Sequence, residues 1–258
     1  MGTPDIPPPP RPGPLARVRH WHRTLGTGNR LALYALVLTA GGLVVPLVAA
    51  GWTALTGPGV GVLVDQSDSA CESVWTVPPG NEELAAEVGA NTDARQLTRW
   101  ARDGRLVHRD DLRAAVSLRS RDSPIEIRDL SITVLSRTDP AAGGAVGPGG
   151  CGGGEPDDEP DFVVVDLDTL PVGAEVPVSY LQTSDQQAEA RALADELGEQ
   201  ITLPRTLPAQ DFYSFTLVGR TAAYDTEWQA TITWWDGEEV HTDVLDDDGR
   251  PFRVTAPN

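Results

Sequence analysis

The stretch FYSFTLVGRTAAYDTEWQATITWWDGEEVHTDVLDDDGRPFRV, residues 212–254, alternates apolar and polar side chains almost without interruption. Tyr213, Phe215 and Leu217 share one parity; Trp228, Ala230, Ile232 and Trp234 share the next, then Val240, Thr242 and Val244. A period of two places every other side chain on one face of a strand, so the segment reads as sheet with one face buried. Asp236-Gly237 separates two of the runs and supplies a tight hairpin turn, because glycine accepts positive φ. Asp246 to Asp248 with Gly249 forms a second acidic turn, without the alternating ligands and distal Glu of a calcium-binding EF-hand. Trp228 and Trp234 fall on one face of their strand, Thr233 and Trp235 on the other. One tryptophan set is expected in the core. The other would form an aromatic platform for a sugar or a protein, so Trp228, Trp234 and Trp235 are the candidate platform residues.

Working upstream, Leu112, Ala114, Val116 and Leu118 repeat the pattern, as do Ile125 and Ile127, but Leu130, Ile132 and Val134 alternate in the opposite phase. One extra residue near Arg128-Asp129 would flip the side chains, which predicts a β-bulge or a break there. Val172, Ala174, Val176, Val178 and Tyr180 predict a further strand, and Phe162 to Val165 a buried one. Two helices are expected: DARQLTRWARD after Asn91-Thr92, closed by Gly104 with Trp100 inward, and a second from Ser184 to about Glu199. The second opens on SDQQ, a capping box between Ser184 and Gln187, and faces Ala190, Leu193, Ala194 and Leu197 inward. The linker 140–160 is too rich in Gly, Pro and acid to fold alone. Its formal G-x-G-x-x-G (Gly147, Gly149, Gly152) leads into Glu155-Pro156 instead of a helix, so it is no phosphate loop. The expected fold is mainly β: an antiparallel, immunoglobulin-like β-sandwich with two helical insertions, lacking the Cys-Trp-Cys spacing of true immunoglobulin domains.

LALYALVLTAGGLVVPLVAA, residues 31–50, carries no charge in twenty residues. A helix of that length crosses a hydrocarbon core of ~30 Å at ~1.5 Å per residue. A retained transmembrane helix over residues 31–52 is the favoured reading. A cleaved signal peptide, ending at the small residues Val48-Ala49-Ala50, is its rival. Residues 1–30 hold five arginines against Asp5, while residues 51–258 hold fifteen arginines against thirty-seven acids, so the net −18 divides into about +4 and −22. Positive charge stays cytoplasmic, which puts the Pro/Arg-rich, disordered tail 1–30 inside and the domain 53–258 in the extracytoplasmic space of the cell envelope. Trp21 and Trp52 flank the run as interface anchors, and the lipid bilayer is the first partner. A domain at −22 repels nucleic acid.

The two cysteines, Cys71 and Cys151, both fall outside the membrane in this topology, where a structural disulfide is expected. Closing that loop of eighty residues is worth about 4.5 kcal/mol by chain entropy. No ligand spacing supports zinc, and no cofactor or metal is expected. Asp166-Leu167-Asp168 projects two acids from one side of a strand, the pattern of a divalent-ion motif in glycosyltransferases, but reads as a solvated strand end. G-x-S-x-G, H-E-x-x-H and S-x-x-K are absent, and beyond the apolar run the only histidines are His108 and His241, so no catalytic residue is assigned. The expected function is a membrane-tethered extracytoplasmic binding or interaction module, with an envelope protein or glycan as partner. It stands ahead of two alternatives: an envelope hydrolase built on His108 or His241, and a signalling component whose tail contacts a cytoplasmic regulator.

The patches LTRWARDG, IRDLSITVLSR before CGGG, VVDLD, and ITWWDGEE with DDDGRPFRV resemble uncharacterised single-pass membrane proteins of high-GC Gram-positive bacteria. A chain whose twenty basic residues are all arginine agrees with such a genome. The likeness covers most of the external domain in short pieces, and the helix from Ser184 to Glu199 departs from it. It implies the single-pass topology and carries no activity.

Overall fold

The computed structural model describes residues 60–66, 70, 73–90, 93–147 and 161–257. The tail 1–30, the apolar run 31–52, Cys71, Cys151 and most of the 140–160 linker lie outside the described residues. Among the described residues no helix is long and apolar enough to cross a membrane.

The chain is mainly β. Its strands are β1 (Val60–Asp65), β2 (Val74–Val77), β3 (Val107–Arg109), β4 (Asp111–Ser120), β5 (Ile125–Thr138), β6 (Gly144–Val146), β7 (Asp161–Asp166), β8 (Glu175–Pro177), β9 (Arg205–Leu207), β10 (Phe212–Arg220), β11 (Asp225–Trp235), β12 (Val240–Leu245) and β13 (Phe252–Thr255). Among the described residues four α-helices accompany them: α1 (Leu84–Ala90), α2 (Ala94–Arg102), α3 (Val178–Leu181) and α4 (Ala188–Leu197). A four-stranded sheet runs β1-β4-β10-β7. In the larger sheet β5 and β11 form a central antiparallel pair: β13 and then β12 line the far side of β11, while β9 and β8 line the far side of β5. β3, β2 and β6 continue the sheet outward from β13. Two pairings are parallel, β7 with β10 and β3 with β13, so the sheets are mixed where pure antiparallel pairing was expected.

The inward parity of each long strand meets in one core: Leu112 to Leu118 of β4, Tyr213 to Leu217 of β10, and Trp228, Ala230, Ile232 and Trp234 of β11. The phase change in β5 is a bulge inside one continuous strand. Thr233 faces Asp129 and Trp234 faces Ile127, which leaves Arg128 as the extra residue; a second bulge leaves out Leu135. Gly219 lets the two sheets approach closely, since a Cβ there would stand 2.4 Å from the Trp228 ring. α4 covers the outer side of the smaller sheet, with Ala190 and Ala194 over Val164 and Val218. β7 is therefore apolar on both faces, which is why its sequence runs Phe-Val-Val-Val without alternation.

A smaller core lies apart, where Leu84 and Val88 of α1 and Leu97 and Trp100 of α2 pack on Trp75 and Val77 of β2. Asp93 caps α2 by accepting from the Arg95 amide at 3.1 Å, and Gly104 ends it at φ +71°.

Three expectations change. Val172 to Tyr180 is not one strand: Pro177 removes a ladder donor, Val172 makes an isolated parallel bridge to Val134, Glu175–Pro177 pairs with β5, and α3 starts at Val178. Gly144–Val146 of the linker does pair, onto β2. Ser184 accepts from the Gln186 amide, but Gln187 does not reach back to close the capping box. Its buried amide instead accepts from the Asp166 N–H at 2.8 Å and donates to the Asp166 carbonyl at 2.9 Å, tying α4 to the end of β7.

Candidate functional site

The β11–β12 hairpin sorts its aromatic residues by face. Trp228 and Trp234 are 0 % and 1 % exposed and belong to the core, which corrects their assignment to a platform. Trp234 donates its indole N–H to Asp243 at 2.7 Å and stacks on His241 at 4.2 Å. His241 reaches Asp236 at 2.7 Å, and the Asp236 carboxylate also accepts the Glu238 and Glu239 amides. Those two backbone donors, Glu239 first, and then His241, pull the Asp236 pKa down to about 2. The loop that sets the register of the hairpin is thus pinned from both sides.

Trp235 points the other way and is partly exposed. Register places Val240 beside it, Thr242 beside Thr233, and Val244 beside Thr231, all on the outer face. Val240 and Val244 are exposed, so the apolar parity of β12 faces solvent while His241, Asp243 and Leu245 turn inward. The hairpin loop fixes this parity by pairing Trp234 with His241. Arg128 lies over the Trp235 ring at 4.7 Å, a cation–π contact that the bulge in β5 makes available. Among the described residues β12 pairs only with β11, which leaves the other edge of the strand open as a template for a partner strand. Sequence parity picked out Trp235 but missed Arg128 and inverted the face of β12.

A cleft of about 250 Å³ opens between the end of α2, β3 and the β12–β13 turn. Arg102 forks onto Asp247 at 2.6 and 2.9 Å and reaches Asp248 at 3.0 Å, while Arg250 donates to the Arg102 carbonyl. Arg253 forks onto the buried Asp225 at 2.7 and 2.9 Å. The acidic turn is a clasp on α2: Asp247 and Asp248 hold Arg102, while Asp246 accepts the Gly249 amide within the turn. His108 backs the cleft, its ring tilted against Trp75 with centroids 4.1 Å apart and Nδ1 3.2 Å from the Ser73 hydroxyl. This is the serine–histidine neighbour pair a hydrolase would need, but both residues are buried and burial lowers the His108 pKa to about 3, which makes it a poor base.

The Asp166-Leu167-Asp168 motif is likewise occupied. Asp166 caps a 3₁₀ turn by accepting from the Asp168 amide at 3.0 Å. Asp168 accepts from the Thr221 hydroxyl at 2.6 Å and from the Ala222 and Ala223 amides at 2.7 and 3.0 Å. Its oxygens hold the turn before β11.

A mainly β protein of two facing sheets, with an exposed edge hairpin, is the class these observations define. No family model matches the chain, and no curated protein or solved structure does so either.

Proposed function

We propose that the chain is a membrane-tethered extracytoplasmic interaction module of the cell envelope. In this reading residues 31–52 form one transmembrane helix, the tail 1–30 is cytoplasmic, and the two facing sheets are an immunoglobulin-like sandwich stapled by Cys71–Cys151. The outer face of β11–β12, around Trp235, Val240 and Val244, engages an envelope protein or glycan. The observation that carries it is the uncharged run Leu31 to Ala50 set between an arginine-bearing tail and a domain of −22. The open edge of β12 favours a protein that adds a strand, because backbone bonds supply affinity and the Trp235 face supplies selection.

The test is made in the host cell. The full-length chain, tagged at its N-terminus, is expected in the membrane fraction, with the tag protected and the domain digested when trypsin is added to spheroplasts. Recovery from the cytosol, or a mature N-terminus near Gly51, overturns the anchored reading. Photo-crosslinkers at Thr233 and Thr242 are expected to trap a discrete adduct that Trp235→Ala with Val240→Asp abolishes. The same adduct from both proteins would remove the hairpin from the reading.

A further inference from the structure

The outer side of the smaller sheet is divided. At one end Val164 and Val218 lie under α4; at the other the sheet is open. Across that open end run Gly61, Arg119 and Phe212, opposite one another on β1, β4 and β10, with Leu63 and Ser117 in the next row. Phe212 and Leu63 are 72 % and 63 % exposed, the two most exposed large apolar side chains among the described residues. Arg119 stands between them, and Arg121 follows at the end of β4; both are exposed. The ion pairs of Arg102, Arg105, Arg113, Arg128, Arg205 and Arg253 all lie elsewhere. A solvent-open hollow of about 690 Å³ is lined by Gly61, Arg119, Arg121, Asp122 and Gln210.

Two free guanidinium groups flanked by exposed Phe and Leu match a bilayer surface: the forks take lipid phosphates, and the apolar side chains enter the headgroup boundary. The chain's own path favours this occupant. β1 begins at Val60 and pairs Val60 with Ser120, so it starts at the same end as Arg119 and Arg121. Only seven residues, 53–59, separate the end of the proposed span from Val60, a reach of at most about 29 Å. Resting on the anchored reading, we propose that this end of the smaller sheet is a docking patch for an anionic lipid surface, made by Arg119, Arg121, Phe212 and Leu63. Asp122 and Asp211 are the acids beside it, and they temper the attraction without pairing either arginine. The patch fixes which way the domain faces, and leaves the β11–β12 hairpin for a partner.

The experiment uses the full chain with vesicles of phosphatidylcholine, with and without one third phosphatidylglycerol. Flotation with pure phosphatidylcholine reports the anchor. Amide exchange in residues 120–124 and 208–212 reports the patch, with residues 236–239 as control. Slowing of about five-fold or more is expected on adding the anionic lipid, since each basic residue near such a surface contributes about five-fold. Arg119→Glu with Arg121→Glu should abolish it, and Phe212→Ser should reduce it; all three positions are exposed, so melting should not move. A chain that floats without this slowing overturns the patch and leaves the anchor standing. A chain that floats only with phosphatidylglycerol, and not after the double substitution, supports the patch and removes the anchor; one that floats with neither removes both. Slowing that appears in detergent and grows with protein concentration would assign the surface to a second copy of the chain and overturn the lipid reading.

Discussion

The two cores of the domain hold together by different physics. In the main core Trp228 packs on Phe252 at 4.8 Å, and the side chains around it from both sheets are apolar. Around Trp75 the smaller core is apolar too, but it buries a histidine at its edge and its helices are fastened from outside by charge. Arg105 reaches Glu83 at 2.9 Å, and Arg102 reaches Asp247 and Asp248. Burial of apolar area does not depend on proton or salt concentration, whereas a buried neutral histidine and an exposed ion pair do. The smaller core therefore responds to pH and ionic strength in a way that the apolar packing around Trp228 does not.

Trp228→Ala should produce the largest loss, about 3–5 kcal/mol in a denaturant titration, because the cavity opens between two sheets that cannot collapse onto it. A loss under about 1 kcal/mol would mean the main core is less tightly packed than its geometry shows. The next effect separates the cores by pH. His108 titrates near 3 when folded and near 6.5 when unfolded, so below pH 6.5 the unfolded chain binds a proton that the folded chain refuses. Stability from this group is complete above about pH 6.5 and drains as pH falls toward 3. Between pH 6 and pH 4 that is roughly 2–3 kcal/mol. His108→Gln should flatten the slope by that amount relative to the parent chain. Equal slopes would show that His108 is not the titrating group.

The same contrast explains what could be read from the chain. Alternation in β4, β10 and β11 reports a half-buried face directly, and the phase slip at Arg128-Asp129 is the bulge itself, since one added residue reverses every later side chain. Parity cannot say which neighbour a strand takes. The parallel pairings of β7 with β10 and of β3 with β13 join segments far apart in sequence, and no local pattern encodes them. In β12 two patterns compete: valines at 240 and 244 suggest an inward face, but the loop from Asp236 to Glu239 sets the register and turns Leu245 inward. Of the candidate surface, Trp235 was legible from its parity. Arg128 was not, because its role depends on a bulge aiming it across to another strand. Gln187 resembled a capping residue because Ser-x-x-Gln fits that motif, while the Asp166 backbone that captures it is brought near only by tertiary packing.

Between these extremes, Gly219→Ala sharpens the main-core side of the contrast. The new methyl group would stand 2.4 Å from the Trp228 ring, and a rigid indole between two sheets has no room to retreat. Overpacking of this kind costs about 1–3 kcal/mol. The double variant with Trp228→Phe should recover part of the loss, because the smaller ring vacates the space. Losses that add without recovery would show that the glycine serves the strand's backbone and not the tryptophan.

The smallest effect belongs to the clasp. Arg102 is about a third exposed and Asp247 is mostly buried, so the pair is better placed than a free surface bridge but still in contact with water. Arg102→Ala should cost about 0.5–1 kcal/mol in low salt, and less as ionic strength rises past ~0.15 M, where charges are screened beyond ~8 Å. Asp225 and Arg253, paired across β11 and β13 with the carboxylate 5 % exposed, provide the contrast, because a buried partner left alone keeps its desolvation cost in any salt. Arg253→Ala should therefore cost more and lose little of its effect in salt. If both variants responded to salt alike, the clasp on α2 would be as deeply buried as the Asp225 pair, and the smaller core would not be the electrostatically tunable half of the domain.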